Sequence, residues 1–282
     1  MQSASGQAVV GLVAGAGRLP FEAARVLREQ GALVRAVALE GLAEPDLIAD
    51  VEALHWVTLG QLGATREALR ALSVESLLLV GKVPKTLLEE GEGVFRPDAE
   101  ALAWLSEIKD LSDESLLGLV GRWLGEQELE VLRQDVALES LLAESGPIAA
   151  RMPSARERSD LSAGEGALRK LGEAGSGQCV VVSEGRVLTC EEILGTDDAI
   201  RRAAAMTESP LTVVKGARPR QDLRFDLPAV GKETVRVMAA AGASALAVEA
   251  GRTLLVGREE MLRAADAAGI AVWGFSRVGG DS

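Results

Sequence analysis

Short apolar runs separated by amphipathic stretches set the rhythm of the first half of the chain. Ala8 to Ala14, Leu33 to Leu39, Ala53 to Thr58 and Ser76 to Val80 are brief, rich in Val, Leu and Ala, and bounded by polar or glycine positions, which predicts strands. Leu19 to Gln30 and Gln61 to Leu72 instead repeat apolar residues three and four apart, the spacing of one helix face. Strand and helix therefore alternate. Strands that are apolar on both faces must be covered on both, and right-handed crossovers join them, so the expected architecture is a doubly wound, Rossmann-like parallel sheet. Its ligand is expected at the carboxyl ends of the strands. Pro97 to Ile108 and Asp113 to Leu124 read as two further helices.

The rhythm breaks between Gly146 and Glu165, where Pro, Ser and mixed charge replace the apolar repeat. This predicts an N-terminal parallel-sheet domain over 1–145, a linker over 146–165 and a C-terminal mixed α/β domain over 166–282. In the second half, Gly166 to Leu171 reads as a helix. Gln178 to Ser183 and Arg186 to Glu191 form a hairpin across Glu184-Gly185. Thr196 to Met206 (helix), Leu211 to Lys215 (strand) and Gly231 to Ala241 (helix) follow. Ala245 to Glu249 with Thr253 to Val256 reads as a second hairpin, and Arg258 to Ala268 and Ala271 to Phe275 as the last helix and strand. Two hairpins, each followed by a helix, resemble a weak internal repeat.

Composition narrows the function. With 282 residues and 48% hydrophobic content the chain can build two cores. No run approaches the roughly 18–20 apolar residues of a membrane span. The start, Met1 to Gln7, has no Lys or Arg and leads into no long apolar segment, so a cytoplasmic location is expected. A net charge of -12 and only four Trp, four Phe and no Tyr argue against nucleic acid as a partner. His55 is the sole histidine, read as a core residue of its strand, and it leaves no room for a His-rich zinc site. Cys179 and Cys190 read as buried reduced thiols. Any metal is expected to be a hard, oxygen-bound ion such as Mg2+.

Two regions carry candidate chemistry. Gly15-Ala16-Gly17-Arg18-Leu19-Pro20 takes a strand through a glycine turn into a helix, a place where main-chain N–H groups can meet a phosphate. Arg18 is a cation at the positive end of a helix, which makes sense beside an anion. The same residues also fit an ordinary tight turn between strand and helix. With Glu40 at the end of the second strand they approach a dinucleotide fingerprint, and an NAD(P)-dependent oxidoreductase is the alternative reading, but Pro20 stands where the third glycine belongs. Gly231-Lys232-Glu233-Thr234 fails as a phosphate loop because Asp226 occupies the leading glycine position and Glu233 interrupts Lys and Thr. The second region, Lys215 to Gly231, packs three cations and two carboxylates between Arg218 and Asp226 on a connection stiffened by Pro219 and Pro228. Such a loop fits an ionic ligand, with carboxylates binding a divalent ion or activating water, and Lys215 and Arg224 neutralising phosphoryl oxygens. A solvated loop with Asp226 capping the next turn is the other reading. Glu191, Glu192, Asp197 and Asp198 add carboxylates that could complete an oxygen-rich metal site. They equally suit a strand end and a helix's first turn.

Taken together, Gly15 to Pro20, Gly81-Lys82-Val83, Glu184-Gly185, Glu191-Glu192, Gly195-Thr196-Asp197 and Pro219-Arg220-Gln221-Asp222-Leu223-Arg224-Phe225-Asp226-Leu227-Pro228-Ala229-Val230-Gly231 resemble the LpxI-type UDP-2,3-diacylglucosamine pyrophosphatases over nearly the whole chain. The resemblance implies a Mg2+-dependent hydrolase of lipid A synthesis, in which water attacks the α-phosphorus and releases UMP and 2,3-diacylglucosamine 1-phosphate, with the lipid between the domains. It places the catalytic aspartate at Asp226, with Asp222, Arg224 and Lys215 as further catalytic residues. Gly15, Ala16, Gly17, Arg18, Lys82, Gln221 and Thr196 are the expected substrate contacts, and Asp226, Asp197 and Glu191 the expected metal ligands. A homodimer with transient contact at the membrane surface is also implied. Ala16 stands where a third glycine is common, and Pro84-Lys85 reverses the usual order of a basic residue and proline. A non-catalytic UDP-lipid binding protein is therefore a further alternative.

Overall fold

A computed structural model describes residues 7–84, 87, 93–108, 113–173, 177–192, 194–219 and 221–276. Residues 1–6, Lys85 and Arg220, which entered the sequence reading, lie outside the described residues. The chain divides into two compact units, Met1–Leu138 and Glu139–Ser282.

In the first unit, strands β1 (Val9–Ala14), β2 (Leu33–Leu39), β3 (Ala53–Val57), β4 (Ser76–Val80) and the short β5 (Glu130–Val131) form one sheet in the order β3-β2-β1-β4-β5. All its pairings are parallel. Helices α1 (Leu19–Glu29) and α2 (Leu62–Ala71) make the crossovers, α3 (Ala99–Leu105) and α4 (Asp113–Gly125) follow, and α5 (Gln134–Ala137) closes the unit. The strand order reverses between β2-β1 and β1-β4, so the loops after β1 and β4 lie together at one sheet end. The unit has the parallel architecture that alternation predicts. His55 departs from expectation: β3 is an edge strand, and His55 and its neighbour Trp56 are exposed.

The second unit holds a six-stranded mixed sheet. Its order is β6 (Gly146–Pro147), β13 (Ala271–Phe275), β11 (Ala243–Glu249), β9 (Leu211–Lys215), β7 (Cys179–Ser183) and β8 (Arg186–Cys190). Every residue of β7 and β9 is buried, which identifies these strands as the centre of the core. Full burial of such Val and Leu side chains contributes about 1.5–3 kcal/mol each. The turn Glu184-Gly185 joins β7 to β8 with φ of 51° and 74°, the conformation a two-residue hairpin requires.

Two expectations need correction here. The segment 146–165, expected as a linker, supplies β6, paired antiparallel with β13, and more than half of helix α6 (Ala155–Glu173). The helix was obscured because Glu157, Asp160 and Gly164 occupy part of its buried face in place of apolar residues. Asp160 is satisfied by the Gly185 N–H at 2.6 Å and the Thr212 hydroxyl at 3.1 Å. Gly164 lets the helix sit close to the sheet, since a Cβ there would lie 2.5 Å from Val214 Cγ2. The expected second hairpin is also absent. Strand β11 already has β9 and β13 on its two edges, so β12 (Leu254–Val256) leaves the sheet and pairs in parallel with β10 (Ala229–Gly231). With that hairpin goes the internal repeat. Helices α7 (Thr196–Ala204), α8 (Lys232–Ala240) and α9 (Arg258–Ala267) complete the unit. Among the described residues of both units, no helix is long and apolar enough to cross a membrane.

Candidate active site

Strand β9 delivers Lys215 to the carboxyl end of the second unit's sheet. Strand β7 runs antiparallel to it, so the residue just before β7, Gln178, lies beside the start of the loop that follows Lys215. The Gly216 N–H donates to the Gln178 carbonyl at 3.0 Å, and the Ala217 N–H donates at 2.8 Å to Oε2 of Glu249, a buried carboxylate at the end of β11. The loop is thus tied to two strands before it turns outward. Arg218 and Gln221 then pin one another: the Arg218 N–H donates to Gln221 Oε1 at 2.9 Å, and the Gln221 N–H to the Arg218 carbonyl at 3.2 Å. Pro219 packs on α6 where Gly172 makes room, a Cβ there falling 2.6 Å from Pro219 Cδ.

This loop carries Asp226, and three side chains converge on one of its oxygens. Oδ2 accepts from Gln178 Nε2 at 2.8 Å, from Gln221 Nε2 at 3.0 Å and from an Arg218 guanidinium nitrogen at 3.1 Å. The Arg218 side chain is 12% exposed and that of Asp226 38%. Oδ1 accepts no hydrogen bond from any described residue. One oxygen is therefore fixed by donors while the other remains available to a ligand, on a carboxylate that solvent can still reach.

A second run of polar groups leads inward from the same place. Glu191 Oε2 accepts from the Gln178 N–H at 2.7 Å, and its Oε1 accepts from the Thr196 hydroxyl at 2.7 Å. Lys215 Nζ donates to that hydroxyl at 2.8 Å. Lys215, Thr196, Glu191, Gln178 and Asp226 are thereby joined in one continuous network. Lys215 is buried, and its ammonium serves this network. Asp197 occupies the first turn of α7 beside Thr196 and accepts no hydrogen bond from the described residues. Asp222 and Arg224 form a separate, exposed pair, Arg224 Nε and a terminal nitrogen reaching the carboxylate at 2.7–3.2 Å. Hydrogen bonding to Asp222 holds the Arg224 guanidinium above its ordinary pKa, and the group also lies 4.8 Å from the centre of the Phe225 ring.

The glycine turn of the first unit has a main-chain explanation. The Ala16 N–H donates to the Lys82 carbonyl and the Lys82 N–H to the Ala16 carbonyl, both at 2.8 Å, which joins the loops after β1 and β4. A Cβ on Gly15 would lie 2.6 Å from the Lys82 carbonyl oxygen, and Gly81 faces Gly15 just as closely, so both glycines permit the crossing of two backbones. Gly17 has φ of 92° with no atom near its would-be Cβ, so the residue serves the turn itself. Arg18 is the N-cap of α1, with Pro20 in the helix's first turn.

Among the described residues no group of three His, Cys, Asp or Glu side chains is placed to hold a metal ion. Asp226, Asp197 and Glu191 are not assembled as the metal cage expected of them. Both oxygens of Glu191 are taken by donors, leaving Asp197 and one oxygen of Asp226. Carboxylate oxygens are the ligand type that suits Mg2+, which keeps several waters and relies on one or two carboxylates plus substrate phosphates. Cys179, fully buried, is removed from nucleophilic chemistry because burial pushes its thiol pKa well up.

Sequence reasoning noted Asp226 and Gln221 but did not single out Gln178, Arg218 or Glu249 as site residues. Arg218 was visible only as one cation of a charged loop, and a lone Gln or Glu at a strand end carries no pattern.

The arrangement defines a two-unit α/β protein with an anchored aspartate on a charged loop. Residues 9–141 match the LpxI N-terminal domain family and residues 144–273 the LpxI C-terminal domain family. The chain is also 30% identical over 276 residues to the UDP-2,3-diacylglucosamine pyrophosphatase LpxI of Caulobacter vibrioides, covering 94% of this chain and 96% of that protein. The chain belongs to the LpxI family.

Proposed function

We propose that this chain hydrolyses the phosphoanhydride of UDP-2,3-diacylglucosamine, releasing UMP and 2,3-diacylglucosamine 1-phosphate in lipid A synthesis. Family membership and the name of the Caulobacter relative support the substrate. The observation that carries the site assignment is the Asp226 carboxylate, held through Oδ2 by three donors with Oδ1 left for the reaction.

In this reading water attacks the α-phosphorus, the bond from the α-phosphorus to the bridging oxygen breaks, 2,3-diacylglucosamine 1-phosphate leaves, and UMP carries the oxygen from water. Asp226 Oδ1 and Asp197 are the oxygens the chain offers to Mg2+, which when bound supplies charge neutralisation at the phosphoryl oxygens. Asp226 Oδ1 is also the group suited to accept a proton from the attacking water. Arg224 reaches the phosphoryl oxygens when its pairing with Asp222 opens, and Gln221 and Arg218 keep Asp226 turned toward the reacting centre. Lys215 and Thr196 support Glu191. Arg18 and Lys82 bind substrate, so Arg18→Ala and Lys82→Ala are expected to raise KM with kcat little changed. By family resemblance the chain is a homodimer that touches the membrane surface transiently, to be checked by light scattering and liposome sedimentation.

The test is UMP release by the purified protein with Mg2+, compared with Asp226→Asn over a range of Mg2+ concentrations. Activity that falls in the variant and returns at high Mg2+ assigns Asp226 to the metal. Activity that stays low at every concentration assigns it to the proton. An unchanged rate would contradict both.

A further inference from the structure

We propose that Gln178 is the positioning residue for Asp226, the group that fixes the catalytic carboxylate to the core of the second unit. The inference rests on the reading of Asp226 given above.

The three donors to Asp226 Oδ2 are not equivalent. Arg218 and Gln221 belong to the same loop as Asp226 and reach the sheet through that loop's own main chain, at Gly216 and Ala217. Gln178 comes from outside that loop, immediately before the fully buried strand β7, and makes the shortest of the three contacts at 2.8 Å. Its own main chain is held on both sides. The Gln178 N–H donates to Glu191 Oε2 at 2.7 Å, and its carbonyl accepts from the Gly216 N–H at 3.0 Å. Glu191 is in turn fixed by Thr196 and, through it, by the buried Lys215. The side-chain amide thus carries the rigidity of β7, β9 and α7 directly to the carboxylate, beyond the main-chain ties that the loop makes through Gly216 and Ala217. Reacting groups need such support, because small misplacements of a catalytic side chain cost rate while leaving substrate binding largely intact.

The proposal is tested with Gln178→Met, which keeps an unbranched side chain of similar length without a donor, and Gln178→Glu, which sets one carboxylate against another. UMP release is measured for each alone and with Asp226→Asn, alongside thermal unfolding. Gln178→Met should lower kcat about 10- to 100-fold, the range for losing one hydrogen bond to a charged group, with KM within about twofold of wild type. Gln178→Glu should lose more. Neither should add to the loss caused by Asp226→Asn, because both act through the same carboxylate. A wild-type kcat in Gln178→Met while Asp226→Asn is impaired overturns this proposal and leaves the function standing. Losses that add to those of Asp226→Asn and track a fall in Tm overturn it too, since the side chain would then be merely structural. If Gln178→Met does not fold, Gln178→Glu decides by the same criteria. Full activity in Asp226→Asn itself would instead remove the reading on which the proposal rests.

Discussion

Gly177 sits one residue before Gln178, and replacing it with alanine tests whether the geometry around Asp226 depends on a close main-chain crossing. Its φ is 63°, so any side chain meets the left-handed penalty of about 1–2 kcal/mol. The new Cβ would also lie 2.5 Å from the Glu191 carbonyl oxygen and 3.1 Å from Leu171 Cδ2. Because the nearer atom is main chain, β8 or the start of β7 must shift, an overpacking cost of about 1–3 kcal/mol. The sum is about 2–5 kcal/mol, a large fraction of the roughly 5–15 kcal/mol that holds a domain folded. Gly185→Ala is the internal control: φ there is 74°, but no atom lies within 4 Å of the would-be Cβ. That variant should lose only the backbone term of about 1–2 kcal/mol. Urea unfolding followed by circular dichroism measures both, and UMP release should fall in Gly177→Ala because Gln178 and Glu191 move with the crossing. Equal destabilisation of the two variants would refute the steric argument.

Further outcomes follow from other parts of the molecule. Glu157 is 3% exposed; burial opposes its charge, but hydrogen bonds from Arg151, Ser244 and Ser154 outweigh this and lower its pKa from 4.5 to about 2. Its contribution, on the order of 2–3 kcal/mol, is present in full above the unfolded value and is lost as pH falls through about 2. Urea stability should therefore decline between about pH 4.5 and pH 2, and Glu157→Gln should flatten that decline. Gly15→Ala should destabilise the first unit by about 1–3 kcal/mol and speed hydrogen exchange at the Ala16 and Lys82 amides, because its Cβ enters the space of the Lys82 carbonyl. Removing Mg2+ with a chelator should abolish UMP release yet leave Tm unchanged, because among the described residues no metal cage helps hold the fold.

The sequence reveals the sheets wherever an apolar run is long enough to be buried on both faces, as in β1, β2, β4, β7 and β9. It hides β5, β6 and β10, which are two or three residues long and exist only because a neighbouring strand offers an edge. Helix α6 was hidden differently. Its buried positions 157, 160, 164 and 168 keep helical spacing, but only the last is a large apolar residue. A local signal was present: Ser154 and Glu157 form a reciprocal cap, the Ser154 N–H donating to Glu157 Oε2 at 2.7 Å and the Glu157 N–H to Ser154 Oγ at 3.3 Å. At the site, the charge and proline content of 215–231 marked a candidate ionic site, and the family resemblance singled out Asp226 within it. Of its supporting donors, Gln178 escaped notice because it is distant in sequence and contributes one amide with no periodic partner. Gly15 shows the converse, since its residue type invited a phosphate while its nearest neighbour is the Lys82 carbonyl of a backbone crossing.

The account stands on Asp226, and the most direct measurement is the initial rate of UMP release from UDP-2,3-diacylglucosamine by wild type and Asp226→Asn at equal, limiting Mg2+. The variant should unfold at a temperature close to wild type and release UMP at least about 100-fold more slowly, the lower end for a lost general base. A folded Asp226→Asn protein that releases UMP at the wild-type rate would contradict the account.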